Sequence, residues 1–179
     1  MGTTTDKQPR SAIYVNKNSF TAARITQLPI LSTDITAIQI TLQGSTKPSL
    51  FINVYNPCDD SALPALQHHL QGNRAAPTPD SHDLVIVAGD FNCHHPMWNP
   101  PGYMRHDEEA DKLVNIASDL GLGLLIPPRT ITYPNAGTAI DLVWANNTAA
   151  NRMLKRQVSR VHDQGSDHLA IETLLTAEK

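Results

Sequence analysis

The 179-residue sequence predicts a layered α/β (α+β) domain, and three observations carry that expectation. Short runs rich in β-branched and aromatic residues outnumber helical stretches. The two kinds are mixed along the chain, which favours sheets in the middle and helices outside. No internal repeat, low-complexity tract or charge block divides the chain, and its length suits one domain with a substantial core.

The elements follow in order. "SAIYVNK" (11–17) alternates polar and apolar residues and is expected to be a strand. "ITAIQITL" (35–42) and "LFINVYNP" (50–57) are expected strands joined by the turn-forming "QGSTKPS". "SALPALQHHLQG" (61–72) reads as a short helix with Ser61 as its cap and Gly72 near its stop. "DLVIVAGDFN" (83–92) is a buried strand. "HDEEADKLVNIASDLGL" (106–122) is the clearest helix: acids crowd its first turn, and Leu113, Ile116, Ala117 and Leu120 recur at helical spacing. "TITYP" (130–134), "TAIDLVWAN" (138–146), "KRQVSRVHD" (155–163) and "HLAIETLLT" (168–176) complete the set as strands.

Composition narrows the function classes. Apolar content is ordinary and no apolar run approaches the ~20 residues a membrane helix needs, so no membrane partner is expected. The first residues, "MGTTTDKQPRSA", hold no apolar signal core, and Cys58 and Cys93 are too few for a disulfide scaffold. An intracellular, reducing location follows as an expectation, with the nucleus compatible, and the "NNT" sequon at Asn146 is then incidental. Residues 1–89 carry six basic and six acidic residues, whereas residues 90–179 carry eight against eleven. The chain is no strongly basic nucleic-acid binder, and the acidic excess would suit carboxylates facing a cation.

Polar residues gather where apolar strands end. "VIVAGDFN" delivers Asp90 and Asn92; "AIDLVW" holds Asp141 between Ile140 and Leu142; "GSDHLAI" sets Ser166, Asp167 and His168 before a strand. Aspartate is depleted in strands, and one flanked by aliphatics needs a partner to stay ionised. A histidine is a natural partner, and His168 is the preferred one among eight. A lone strand-end aspartate more often caps a turn, but the three motifs in this order are far more specific.

"GDFN", "IDLVW" and "GSDH" in this order resemble the endonuclease/exonuclease/phosphatase superfamily of metal-dependent phosphodiesterases. The wider contexts "GDFNCHHPMW", "EEADKLVNIASDLGLGLL" and "TITYPNAGTAIDLVWAN" resemble one branch more closely. That branch is the apurinic-type endonuclease domain in front of the reverse transcriptase of non-LTR (LINE-like) retrotransposons. The resemblance runs from about Arg10 to Leu175. It implies a four-layer α/β sandwich, two mainly antiparallel sheets between helices. It also implies a DNA endonuclease using Mg2+, or Mn2+ in its place, that nicks target DNA for primed reverse transcription. Asp90 then orients or deprotonates the attacking water, and Asn92 holds that water and a phosphate oxygen. Asp141 orients the catalytic His168, and Asp167 is a metal ligand. Tyr55 lines the phosphate site, and Thr132 and Ser166 contact the substrate backbone. DNA is the implied partner, alongside other domains of a longer retrotransposon polyprotein.

One departure stands out. Family members carry their principal metal-binding glutamate on an early strand, yet the first glutamate here is Glu108, well after Tyr55. The resemblance therefore implies residues 10–179 as a domain lacking the first family strands, with 1–9 a disordered N-terminal remnant. A catalytically inactive nucleic-acid-binding copy and a phosphatase of the same superfamily stand as alternatives. His94 and His95 read as loop braces packing on Trp98 in preference to metal ligands. Arg152, Lys155, Arg156 and Arg160 read as a solvated strand face, with DNA-backbone contact as the functional alternative.

Overall fold

A computed structural model describes residues 8–59, 61–71, 81–127, 129–159 and 165–176. Eight strands and three α-helices alternate along it: β1 (Arg24–Leu28), β2 (Ile35–Thr41), β3 (Ser49–Tyr55), α1 (Ala62–Gln71), β4 (Val85–Asp90), α2 (Glu108–Asp119), β5 (Leu122–Leu124), β6 (Asp141–Asn146), α3 (Asn147–Asn151), β7 (Met153–Ser159) and β8 (Ala170–Leu175). Six strands form one sheet in the order β1-β2-β3-β4-β6-β5, while β7 and β8 form a second, antiparallel pair. Among the described residues only β3 and β4 pair in parallel, with α1 in the connection between them. The mixed α/β fold expected from the sequence is thus present.

Alternation along the strands sorts the large sheet into two faces. Leu50, Ile52 and Val54 of β3, Val85 and Val87 of β4, and Leu142 and Trp144 of β6 are buried on one face. They share a single apolar cluster with Leu63, Leu66 and Leu70 of α1 and Leu113, Ile116 and Ala117 of α2. Each leucine or isoleucine so buried contributes about 1.5–3 kcal/mol. The opposite face carries Asn53, Tyr55, Ala88, Asp90 and Asp141, and the second sheet lies toward it, with Ile171 sharing a groove with Ala88 and Val143. The helical face is therefore the core and the other face is where polar side chains can reach solvent.

Three local expectations are corrected. Residues 11–16 form no strand; a 3-10 turn follows at Lys17–Ser19. Instead Ser11 bonds across the sheet face, its hydroxyl donating to the Asn53 carbonyl (2.9 Å) while its own carbonyl accepts from Thr36 (2.8 Å). "TITYP" is a turn bridged once, Tyr133 to Thr138, because Pro134 and Gly137 bend the chain there. At α1 the Ser61 hydroxyl turns back to Asp59. Gly72, Arg160 and residues 1–7 lie outside the described residues.

Candidate active site

The end of β4 is built by a glycine that nothing else could replace. Gly89 has φ 146°, and a Cβ there would lie 1.9 Å from the Val54 carbonyl oxygen of β3. That close approach sets Asp90 beside Tyr55. Asn92 follows at φ 50°, a left-handed conformation asparagine tolerates. Its backbone amide donates to Asp90 Oδ1 and its side-chain amide to Asp90 Oδ2, both at 3.1 Å. The same side chain donates to the Asn56 carbonyl (3.0 Å), and fully buried Asn56 donates to the Phe91 carbonyl (2.9 Å). Both oxygens of Asp90 are therefore held in place.

Asp141 opens β6 directly opposite Asp90. The turn before it is fixed by Thr132, whose hydroxyl oxygen accepts from the amides of Ile140 and Asp141, each at 3.1 Å. The Thr132 carbonyl accepts from Leu169 (2.8 Å), so one residue holds both β6 and the segment leading into β8. That segment brings His168 Nδ1 to 2.9 Å from Asp141 Oδ2 and 3.1 Å from Oδ1. An ionised carboxylate only accepts, so Nδ1 carries the donated proton. Ser166 accepts from the His168 amide (3.1 Å), and the Tyr133 ring lies tilted against the imidazole at 4.9 Å.

Electrostatics follow from this crowding. Burial, then the facing charge of Asp141, pushes the Asp90 carboxyl up to about 6 against the opposing pull of His168 and Asn92. For His168, burial works against the cation, but the hydrogen bond and charge of Asp141, with Asp90 and Asp167 behind, outweigh it and raise its pKa. A carboxylate titrating near neutrality beside an acid-held imidazole, both lining one groove, is the arrangement proton-transfer sites use.

A profile of the endonuclease–reverse transcriptase family matches residues 49–172, which span β3 to β8 and every group just described. The chain belongs to that family. It is thereby a member of the endonuclease/exonuclease/phosphatase superfamily, and its fold agrees. The endonuclease domain of TRAS1, a telomere-specific non-LTR retrotransposon, superposes with a TM-score of 0.68 at 18% identity, covering 88% of this chain and 70% of that one. The AP endonuclease LMAP from Leishmania major gives 0.63 at 14% identity, covering 87% and 62%. The 3'-5' exonuclease NExo from Neisseria meningitidis gives 0.58 at 18% identity, covering 84% and 70%. At these identities the likeness shows the fold alone. No curated protein matches the chain in sequence at a significant level.

For this endonuclease–reverse transcriptase family member, the structure brings together Asp90, Asn92, Asp141 and His168, with Tyr55 alongside. Two of the expected residues have surroundings of another kind. Thr132 is fully buried with its hydroxyl engaged by two amides, so it positions β6 rather than touching a substrate. Asp167 is exposed next to His168 and stays outside the converging Asp90–Asp141–His168 group. Ser166 is exposed, but its oxygen holds the His168 amide. His95 packs on Trp98 at 5.1 Å, as expected, whereas His94 packs on Tyr103 at 5.0 Å instead of on Trp98.

The basic run is largely committed within the chain. Arg152 grips Asp83 through two bonds (2.6 and 3.0 Å), Arg156 donates to the Leu125 carbonyl, and Lys155 pairs with Glu172. Sequence reasoning missed Asn56, whose only signal is an asparagine before proline in "NVYNP". It also missed Arg10, which lies over the Tyr55 ring at 5.2 Å while paired with Asp34.

A divalent cation fits this donor set, though with few ligands. Ligand atoms of Asp90, Asp141 and His168 lie within 4.8 Å of one another. Hard carboxylate oxygens are what Mg2+ uses, and Asp90 and Asp141 face each other across paired strands in this groove. Asp141 shares its oxygens with His168 and Asp90 shares its oxygens with Asn92, so a cation here would bind through remaining lone pairs of both carboxylates.

Proposed function

We propose that this domain is a metal-dependent phosphodiester hydrolase acting on DNA, a strand-nicking endonuclease of the retrotransposon type that exposes a primer end for reverse transcription. One observation carries the reading: Asp90, Asp141 and His168, from three distant strand ends, converge on one open groove with an ion-paired imidazole and a proton-accepting acid. Asp90, ionised above about pH 6, accepts the proton of a water attacking phosphorus. Asn92 keeps both Asp90 oxygens oriented for that transfer. His168, held by Asp141, presents a positive charge to the phosphate as the P–O bond to the leaving oxygen breaks. A bound Mg2+ or Mn2+, held by Asp90 with Asp141, would supply neutralising charge to the phosphate.

The shortage of carboxylates predicts weak metal affinity. Supercoiled plasmid incubated with the chain should be nicked slowly, at a rate still climbing with Mg2+ or Mn2+ in the millimolar range. Asp90→Ala and His168→Ala should each abolish the nicking, with losses of about 10²–10⁴-fold. Nicking that survives Asp90→Ala would overturn the assignment. A second reading, a catalytically inactive DNA-binding copy, is favoured by the lack of any glutamate before Glu108; plasmid retardation without nicking at any metal concentration would select it. Phosphate release from a 3'-phosphorylated oligonucleotide without nicking would instead select a phosphatase. Other domains of a longer retrotransposon polyprotein would be the natural partners of a nicking domain, and their presence is part of the same proposal.

A further inference from the structure

The loop between β4 and α2 holds a second convergence that the groove does not use. His94 and Asp107 close this loop by a reciprocal pair of bonds: the His94 amide donates to Asp107 Oδ2 (2.9 Å) and the Asp107 amide to the His94 carbonyl (2.9 Å). The residues just inside that clasp, His95 and His106, are thereby forced side by side, their rings edge-on at 4.9 Å. Asp111, one turn into α2, points at both: its Oδ1 lies 2.9 Å from His106 Nε2 and 3.4 Å from His95 Nε2.

We propose that His95, His106 and Asp111 form a binding site for a borderline transition-metal cation such as Zn2+, separate from the Asp90 groove. The ligand set is two imidazoles and one carboxylate, which suits Zn2+ and not Mg2+. Metal–ligand bonds of about 2.0–2.2 Å place tetrahedral ligand atoms roughly 3.3–3.5 Å apart, close to the spacings found here. All three ligand atoms lie within 4.8 Å of one another. His95 is one-fifth exposed, whereas His106 and Asp111 are half exposed, so a cation has an open approach and a fourth position for water. His95 is preorganised by packing on Trp98, itself buried against Trp144.

The binding step has a definite proton balance. Without a metal, His95 Nδ1 accepts from the Met97 amide (3.0 Å), so the ring proton of neutral His95 sits on Nε2 and points at Asp111. Capture at both Nε2 atoms moves each ring proton to Nδ1, ends the contacts to Asp111 Oδ1 and frees the Met97 amide, which water can take over because Met97 is exposed. The hydrogen bonds so lost are exchanged for coordination bonds from two imidazoles and the Asp111 carboxylate. The cation would pin the loop that follows β4, and with it Trp98, onto α2.

Co2+ is the probe, because a tetrahedral site with nitrogen and oxygen ligands gives it visible absorption. The titration uses the full chain carrying Asp90→Asn and His168→Ala, so that the groove cannot contribute, with Zn2+ added in competition. One equivalent of Co2+ is expected to bind, to develop that absorption and to be displaced by Zn2+. Adding His106→Ala or Asp111→Asn should weaken binding by about tenfold or more. Both side chains are half exposed, so the metal-free melting temperature should stay put and separate lost ligation from unfolding. Binding that is indifferent to both substitutions, or no tetrahedral absorption at all, would overturn the site. Neither result bears on nicking, which His168→Ala tests independently.

Discussion

Thr132 shows how a single hydroxyl can matter without touching chemistry. Its oxygen takes two amides at the start of β6, and its carbonyl takes a third beside His168, so it spaces the two halves of the acid–imidazole pair. Thr132→Val keeps the shape and removes the acceptor, leaving buried N–H groups unpaired at a cost of about 1–3 kcal/mol. Denaturant melts should register that loss, and nicking should fall with it, whereas Thr132→Ser should restore both. A valine variant melting like wild type would show that the hydroxyl holds nothing. Residues of this kind were not legible in the sequence. Asp141 was, because a carboxylate between Ile140 and Leu142 demands a partner, and that partner proved to be His168. Thr132 stood out only through the family resemblance, and Asn56 not at all, since the backbone groups they bind are brought to them only by the fold.

Elements were legible where burial dictates a pattern, and misjudged where it does not. β2, β3, β4, β6 and α2 all bury apolar side chains, β6 on both its faces, and their apolar runs or spacing announce them. The exposed edge strand β1 and the three-residue β5 carry too little burial to leave a period, and the expected second helix runs on to Leu122, the first residue of β5. Residues 11–16 show the converse: they alternate without forming a strand, and Ser11 bonds Asn53 and Thr36 across the sheet face without entering it. At this scale Gly89 is the most demanding position. Any side chain there drives its Cβ into the Val54 backbone, so Gly89→Ala must separate β3 from β4 at the point where Asp90 emerges. A loss of at least about 3 kcal/mol is expected, which for many domains is a large part of total stability. Reduced soluble yield and an early melt would register it. A Gly89→Ala protein of normal stability would mean that the strands do not approach this closely.

At the scale of the whole molecule, the groove makes stability depend on pH in a direction opposite to most acid-rich proteins. Asp90 binds its proton more tightly in the folded chain, near 6, than an unfolded aspartate near 4. Its contribution to stability is therefore full below about pH 4 and lost as pH rises through about 6. His168 is raised too, so its contribution is full below about pH 6.5 and is lost above that, in the same direction. Asp90→Asn removes the first effect while keeping the shape. The variant should match wild type at or below about pH 4 and exceed it at pH 7.5 by about 1–2 kcal/mol, after allowance for the groove's partial exposure to solvent. That is a few degrees in melting temperature for a chain of this size. Mg2+ should stabilise the wild type at pH 7.5 more than at pH 5 and should do little for Asp90→Asn, because the cation competes with the proton for the same oxygens. A residue whose removal destroys activity while stabilising the fold is held in place by function, and this one substitution separates the two. Were Asp90→Asn to lose stability at pH 7.5, the carboxylate would be a structural anchor, and the groove would owe its shape to an ion pair instead of to a reaction.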